Sequence, residues 1–178
     1  EELTLECFEE ASDLVKEVTT ETKLVYSEYF SAQTGNKVYF KPENMQYTGA
    51  YKVRGAYYKI STLTEEEKAK GLITASAGNH AQGVAYAAKE FGAKAVIVMP
   101  TTTPLIKVNR TKGYGAEVVL YGDVYDEACA YALELAEKEV SELRNRQEQS
   151  AGEARSAVDI VAEKERLLEE TGRKLCTR

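Results

Sequence analysis

The sequence of 178 residues is poor in cysteine, histidine and proline, and it contains no tryptophan. Its three cysteines, Cys7, Cys129 and Cys176, lie far apart and form no Cys-x-x-Cys pair. We therefore expect neither a disulfide framework nor a thiolate zinc site, and a reducing cytoplasm is the expected location. Because His80 is the single histidine, a metal centre with several histidines is excluded, and no metal site is expected.

Long apolar runs and an excess of positive charge are also missing. No run of about 18 apolar residues occurs, so no membrane-spanning segment and no membrane partner are predicted. Residues 1–6 are acidic and lack the basic-then-apolar pattern of a signal peptide. The net charge of −6, from 23 basic and 29 acidic residues, argues against a nucleic-acid partner. Hydrophobic residues make up 43% of the chain, which is enough for a globular core.

The composition changes near residue 140. All 12 tyrosines and all 4 phenylalanines lie at or before Tyr131, and residues 141–178 hold balanced charges with few, small apolar residues. The apolar spacing in this segment is typical of a weakly amphipathic helix. We predict two domains, an α/β domain over residues 1–140 and a helical tail of unknown role over residues 141–178.

Within the first 140 residues, strand and helix patterns alternate. Predicted strands lie at residues 37–40, 72–75, 95–99 and 117–120. Predicted helices lie at residues 6–20, 52–63, 79–91, 104–114 and 124–139, with a further short helix capped by Thr64. The helix at 6–20 has Leu5 and Phe8 on its apolar side, and the helix at 79–91 has Gly92 as its predicted C-cap. The alternation predicts an α/β fold in three layers, a parallel sheet flanked by helices, followed by the C-terminal helical tail.

Two clusters carry candidate chemistry. Lys52 falls in the first turn of a predicted helix, where a positive charge opposes the helix dipole. Taken alone, a solvated lysine is the usual outcome, whereas the functional alternative is an amine activated as a nucleophile toward a carbonyl. The second cluster, residues 74–83, spans the end of an apolar strand and the start of a helix, whose unpartnered N–H groups can bind a carboxylate or phosphate. An ordinary N-cap is the alternative there.

Taken together, the clusters resemble the fold-type II pyridoxal-phosphate enzymes and, among them, the threonine dehydratases (threonine ammonia-lyases). The resemblance runs from about Leu3 to Glu139. It rests on KPENMQ at 41–46, GAYKVRGA at 49–56, SAGNHAQG at 76–83, VMP at 98–100 and GAEVVLYG at 115–122.

The resemblance implies pyridoxal 5′-phosphate as cofactor and β-elimination of threonine, or serine, to 2-oxobutanoate, or pyruvate, and ammonia. It implies that Lys52 attaches the cofactor and moves the substrate Cα proton. It implies that Tyr51 packs beside the cofactor, and that Asn79 hydrogen-bonds the cofactor's ring hydroxyl. The loop that it implies for the substrate carboxylate consists of Ser76, Ala77, Gly78, Asn79 and His80. The resemblance also implies a pathway, either isoleucine biosynthesis or threonine catabolism.

Two departures from the family pattern matter. Ala50 stands where the family usually has serine. Ala77 stands where serine racemases have a proton-delivering serine, which favours a lyase. Serine racemase or a related lyase or synthase is nevertheless retained as an alternative.

A third departure is an absence. The family's second domain holds the cofactor phosphate on a Gly-rich loop, yet only Gly152 and Gly172 follow Gly122. We therefore expect this chain alone to bind the cofactor weakly. Two alternatives are left open. The chain is a non-catalytic truncated or engineered module, or it forms a homo-oligomer in which a second chain supplies the missing half.

Overall fold

The computed structural model describes residues 3–175, with the side chains of 152, 154 and 156–175 left aside. The described residues form α-helices at Leu5–Val15 (α1), Glu28–Thr34 (α2), Lys52–Ser61 (α3), Glu65–Lys70 (α4), Asn79–Glu90 (α5), Leu105–Gly113 (α6) and Tyr125–Leu175 (α7). The strands are Val25–Tyr26 (β1), Tyr39–Phe40 (β2), Leu72–Ala75 (β3), Ala95–Met99 (β4) and Glu117–Leu120 (β5). Single 3₁₀ turns lie at Lys16–Val18 and Glu43–Met45.

The chain divides into two compact units, Glu1–Leu133, called the body here, and Glu134–Arg178, called the tail. Helix α7 runs without interruption past residue 140, so the expected tail helix is its continuation. The division of roles between residues 1–140 and 141–178 stays a prediction.

A parallel sheet in the order β3-β4-β5 forms the centre of the body. Thr74 lies opposite Ile97, which in turn lies opposite Val118. The three strands match the prediction residue for residue, and the α/β fold with a parallel sheet flanked by helices is confirmed. The central strand is apolar throughout because both of its faces are covered: Ile97, Val98 and Met99 have no exposed surface.

Helix α5 supplies much of the covering layer. Its side chains are small, and Ala81, Ala85, Ala87 and Ala88 are buried in one hydrophobic cluster with β4. Small side chains let helix and sheet backbones approach closely, so the alanine-rich composition here reflects close packing. The cluster is extended by Tyr57 of α3, whose ring lies 4.7 Å from that of Phe91.

The helix ends confirm the predicted cap at Thr64 and move another cap by one residue. Thr64 forms a capping box with Glu67 at the start of α4. The predicted C-cap of α5 is Gly92, whereas the structure has Phe91 at that position and Gly92 one residue further. Gly92 has a φ of +64°, a left-handed conformation that glycine adopts without steric cost.

The first forty residues differ most from the prediction. Helix α1 ends at Val15 instead of Thr20, and Leu5 and Phe8, which lie on its predicted apolar side, are 68% and 60% exposed. The predicted strand at 37–40 is reduced to β2, which pairs antiparallel with the unpredicted β1. Rings from β1, α2 and β2 contact one another on this exposed surface, Tyr26 with Tyr39 at 5.3 Å and Phe30 with Phe40 at 5.5 Å.

Candidate active site

The site lies where parallel strands β3 and β4 end and helices α5 and α6 begin. Ser76 follows β3, and its N–H donates to the carbonyl of Val98 at 3.0 Å, which ties the loop to the neighbouring strand. In parallel α/β sheets, the carboxyl ends of the strands are the usual place for ligands, because loops and helix starts converge there. The predicted loop at residues 76–80 therefore occupies this edge of the sheet.

Lys52 is the first residue of α3, as predicted, and its side chain is exposed. The backbone of Lys52 packs closely against Gly83 of α5. A Cβ on Gly83 would lie 3.1 Å from the Lys52 carbonyl oxygen and 3.3 Å from Cα of Val53. These are backbone atoms, which cannot move aside as a flexible side chain does. The absence of a side chain at Gly83 thus sets the distance between the start of α3 and α5.

The loop at residues 76–80 contains both satisfied and unsatisfied amides. The buried hydroxyl of Ser76 accepts hydrogen bonds from the N–H groups of Gly78, at 3.3 Å, and Ala81, at 3.2 Å. The N–H groups of Ala77, Asn79 and His80 make no hydrogen bond within the part of the chain that the structure describes. Ser76 therefore organises the loop from inside, and three amides are available to an anion.

His80 lies beside Lys52 and is half-buried. Burial lowers the pKa of His80 below its ordinary value, and the positive charge of Lys52 adds to the effect. The imidazole is therefore held neutral near the lysine at neutral pH. This electrostatic interaction brings together two predicted site residues that come from different helices.

Lys107, which the sequence did not single out, lies over the same loop. Its Nζ is 3.2 Å from the position that a Cβ on Gly78 would occupy. Like Lys52, Lys107 belongs to the first turn of a helix without acidic residues in that turn. The signal used for Lys52, a lysine opposing a helix dipole, was thus present for Lys107 as well.

A polar network supports the segment that leads into α3. Glu43 accepts hydrogen bonds from Arg54 of α3 at 3.1 and 3.2 Å and from the hydroxyl of Thr22 at 2.9 Å. The Arg54 hydrogen bond, assisted by that of Thr22, holds the pKa of Glu43 below its usual value despite partial burial. Gln46 is paired in both directions with the backbone of Thr20, each hydrogen bond measuring 2.9 Å. The motif at residues 41–46 is therefore a brace for the lysine-bearing helix.

The residues present fit the attachment of pyridoxal phosphate. Lys52 offers an exposed amine, and Tyr51, which is 61% exposed, precedes it at the N-cap of α3. The exposed Asn79 side chain makes no hydrogen bond to any described residue. These are an attachment amine, an aromatic surface and a hydrogen-bonding amide, which is a donor set suited to a polar aromatic aldehyde.

Comparison with known proteins places the chain in a family. The family described as "Pyridoxal-phosphate dependent enzyme" matches residues 15–151, so the chain belongs to the pyridoxal-phosphate dependent enzymes. Within them it is similar to L-threonine ammonia-lyase of Thermotoga maritima, with 51% identity over 136 residues, which are 76% of this chain and 34% of that protein.

Solved structures agree with this assignment. Threonine deaminase isoform 2 of Solanum lycopersicum superposes with a TM-score of 0.69 at 46% identity, over 78% of this chain and 39% of that one. Maize serine racemase superposes with a TM-score of 0.70 at 34% identity, over 74% and 40%. The chain therefore spans little more than a third of the length of the relatives it matches.

The described residues contain neither a membrane-spanning helix nor a metal-binding cluster. No helix in the described part of the chain combines the length and apolar character needed to cross a bilayer. Over the same residues, no group of three or more histidine, cysteine, aspartate or glutamate side chains is placed to hold a metal ion.

Proposed function

We propose that this chain carries the lysine-bearing half of a pyridoxal-phosphate-dependent ammonia-lyase that acts on L-threonine or L-serine. The observation that carries the proposal is the contact between the start of α3 and Gly83, which holds Lys52 over the helix that begins with the 76–80 loop. Similarity to L-threonine ammonia-lyase and to threonine deaminase supports the reaction type. Threonine would give 2-oxobutanoate and ammonia, and serine would give pyruvate and ammonia.

Each part of the site has a distinct task. When bound, pyridoxal phosphate supplies the electron sink for the electrons left behind by the departing Cα proton. Lys52 Nζ is the group that holds the cofactor and takes up that proton. The amides of Ala77, Asn79 and His80 bind the substrate carboxylate, which fixes the Cα–H bond relative to Lys52.

A lyase is favoured over a racemase by Ala77. The side chain of Ala77 is exposed on the loop and is a methyl group, so it cannot deliver a proton to the second face of Cα. A racemase needs proton donors on both faces, whereas β-elimination needs one base and a departing hydroxyl. The similarity to maize serine racemase therefore supports the shared fold, and Ala77 favours the lyase reaction.

Covalent labelling tests the assignment of Lys52. The chain is incubated with substoichiometric pyridoxal phosphate, reduced with borohydride and mapped by peptide mass spectrometry. We expect the pyridoxyl group on Lys52, and we expect Lys52→Ala to abolish this label. Lys59→Ala is the matched control, because Lys59 is an exposed lysine near the other end of the same helix. A label that is found mainly on Lys59 or other lysines would overturn the proposal.

Product analysis tests the reaction type. With pyridoxal phosphate and L-threonine, we expect slow release of ammonia and 2-oxobutanoate that is absent from Lys52→Ala. Slow turnover is expected because a phosphate dianion needs several N–H donors, and each charge-assisted hydrogen bond contributes about 1.5–3 kcal/mol. Conversion of L-serine to D-serine without keto-acid formation would assign the racemase reaction instead.

The proposal extends to assembly and location. The substrate is a small hydroxy amino acid, and a homo-oligomer is the proposed assembly. The cytoplasm is the proposed location, because widely spaced cysteines suit a reducing compartment. Size-exclusion chromatography with light scattering, with and without pyridoxal phosphate, tests the assembly. A monomer that binds the cofactor tightly by itself would contradict it.

A further inference from the structure

Lys107 is a cation that the fold alone does not explain. It occupies the third position of α6, where the free N–H groups of the helix already create positive potential. Its side chain is half-buried over Gly78, with Nζ 3.2 Å from the position of an added Cβ. The salt bridges found over residues 3–151, 153 and 155 do not involve Lys107.

At the 76–80 loop, Lys107 is joined by a second lysine and by free amides. Lys52 approaches the loop from α3, and the amides of Ala77, Asn79 and His80 carry no partner among the described residues. His80 is held neutral. Free amide N–H groups at a helix start together with lysine side chains form a place suited to an anion.

We propose that Lys107 is a specificity-determining residue that pairs with the carboxylate of the amino-acid substrate on the 76–80 loop. This inference rests on the proposed function, because that function places the carboxylate on the loop. The amides supply directional hydrogen bonds, and Lys107 supplies the net charge that distinguishes a carboxylate from an uncharged group. Gly78 permits the arrangement, since any side chain at this position would meet the ammonium.

The charge on Lys107 has a consequence for ligand selection. An amino alcohol that lacks the carboxylate, such as L-threoninol, gains nothing from Lys107, whereas L-threonine gains a charge-assisted contact. Removal of the charge should therefore weaken the binding of L-threonine and leave the binding of L-threoninol unchanged. A lysine with a purely structural role would change both ligands equally, or neither.

Amide NMR titration of the full 178-residue chain tests this proposal. We expect L-threonine to shift the amide signals of Ala77, Asn79 and His80, and Lys107→Gln to weaken its affinity by about tenfold, the loss of one charge-assisted contact. Lys107→Arg should retain most of the affinity. The matched control is Lys112→Gln, an exposed lysine on the same helix that should change nothing.

Ionic strength provides a second readout. Because an ion pair is screened by salt, the affinity of the unsubstituted chain for L-threonine should fall as salt rises, and that of Lys107→Gln should fall less. The proposal is overturned if Lys107→Gln binds L-threonine with the same affinity as the unsubstituted chain does, or if the substitution lowers the affinity for L-threoninol equally. It is also overturned if L-threonine does not shift the three amide signals. Thermal unfolding of each variant verifies that it is folded.

Failure of this inference is distinguishable from failure of the proposed function. The labelling of Lys52 by pyridoxal phosphate does not depend on the substrate carboxylate. Labelled Lys52 together with an unchanged Lys107→Gln titration would remove Lys107 from the site and leave the proposed function standing. An unlabelled Lys52 would overturn the proposed function. The titration would then show only whether Lys107 contributes to carboxylate binding on the loop.

Discussion

The body and the tail contain similar apolar residues but use them differently. Val98, on the central strand of the body, has no exposed surface, whereas Val140, in the tail, is 57% exposed. Among the tail side chains that the structure describes, none is buried, and Leu135, Ala136 and Leu143 are half-buried. The body is thus stabilised by packing against its sheet, and the tail helix depends on its own hydrogen bonds and helix propensity.

The largest expected effect is on the body side of this comparison. Val98→Ala removes two methyl groups from a fully buried site and leaves a cavity, so we expect a loss of about 2–3 kcal/mol in the free energy of unfolding. Urea denaturation followed by tyrosine fluorescence measures it. A loss below about 0.5 kcal/mol, which is typical of surface positions, would contradict the packing argument.

The glycines of α3 and α5 offer a matched pair within the body. Gly83→Ala places a Cβ against the backbone of Lys52, so we expect about 1–3 kcal/mol of destabilisation and weaker pyridoxyl labelling of Lys52. Gly55→Ala meets nothing within 4 Å, and we expect it to stabilise α3 by roughly 0.5–1 kcal/mol. Equal effects of the two substitutions would show that close approach at Gly83 is unimportant.

The lowered pKa of Glu43 predicts how the stability of the protein changes at acidic pH. Because Arg54 lowers the folded-state pKa of Glu43, its stabilising contribution is complete above the unfolded value of 4.5. That contribution is lost as pH falls through the lowered folded-state pKa. Glu43→Gln should cost about 1 kcal/mol at neutral pH, the size of a typical hydrogen-bond contribution. The difference from the unsubstituted chain should narrow in urea titrations below pH 4.5. If the difference in unfolding free energy does not depend on pH, the ionised Glu43 carboxylate does not stabilise the protein.

The lowered pKa of His80 predicts a smaller change in stability, in a higher pH range. Its folded-state pKa is lowered from 6.5, so the unfolded chain binds the proton first as pH falls. Stability should therefore decrease as pH drops below 6.5, until the folded-state pKa is passed. His80→Gln should remove this component, and thermal unfolding between pH 5 and 7.5 measures it. A variant with the unchanged pH dependence would exclude His80 as its source.

The smallest effect is expected in the tail, and with the opposite sign. Val140→Ala replaces a β-branched residue by the best helix former at an exposed position of α7. We expect an increase in helicity equivalent to a few tenths of a kcal/mol, measured by far-UV circular dichroism. The unfolding midpoint of the body should be unchanged. A destabilisation comparable to that of Val98→Ala would mean that Val140 is buried.

Some site residues were recognisable from the sequence, and others were not. Lys52 and the 76–80 loop were predicted because each combines a local motif with a helix start. Lys107 also lies at a helix start, but its closeness to Gly78 could not be predicted, because it results from the parallel pairing of β3 and β4 and not from nearness along the chain. The roles of these residues in binding and catalysis stay predictions until the labelling and titration experiments are done.

The sequence by itself determined the three central strands, the capping box at Thr64 and the position of Lys52 at a helix start, because apolar runs and capping residues act locally. Only the tertiary structure decided the short pair β1 and β2, the exposure of Leu5 and Phe8, and the approach of Gly83 to Lys52. A two-residue strand has too few contacts to specify itself, so its pairing depends on distant segments that packing brings together.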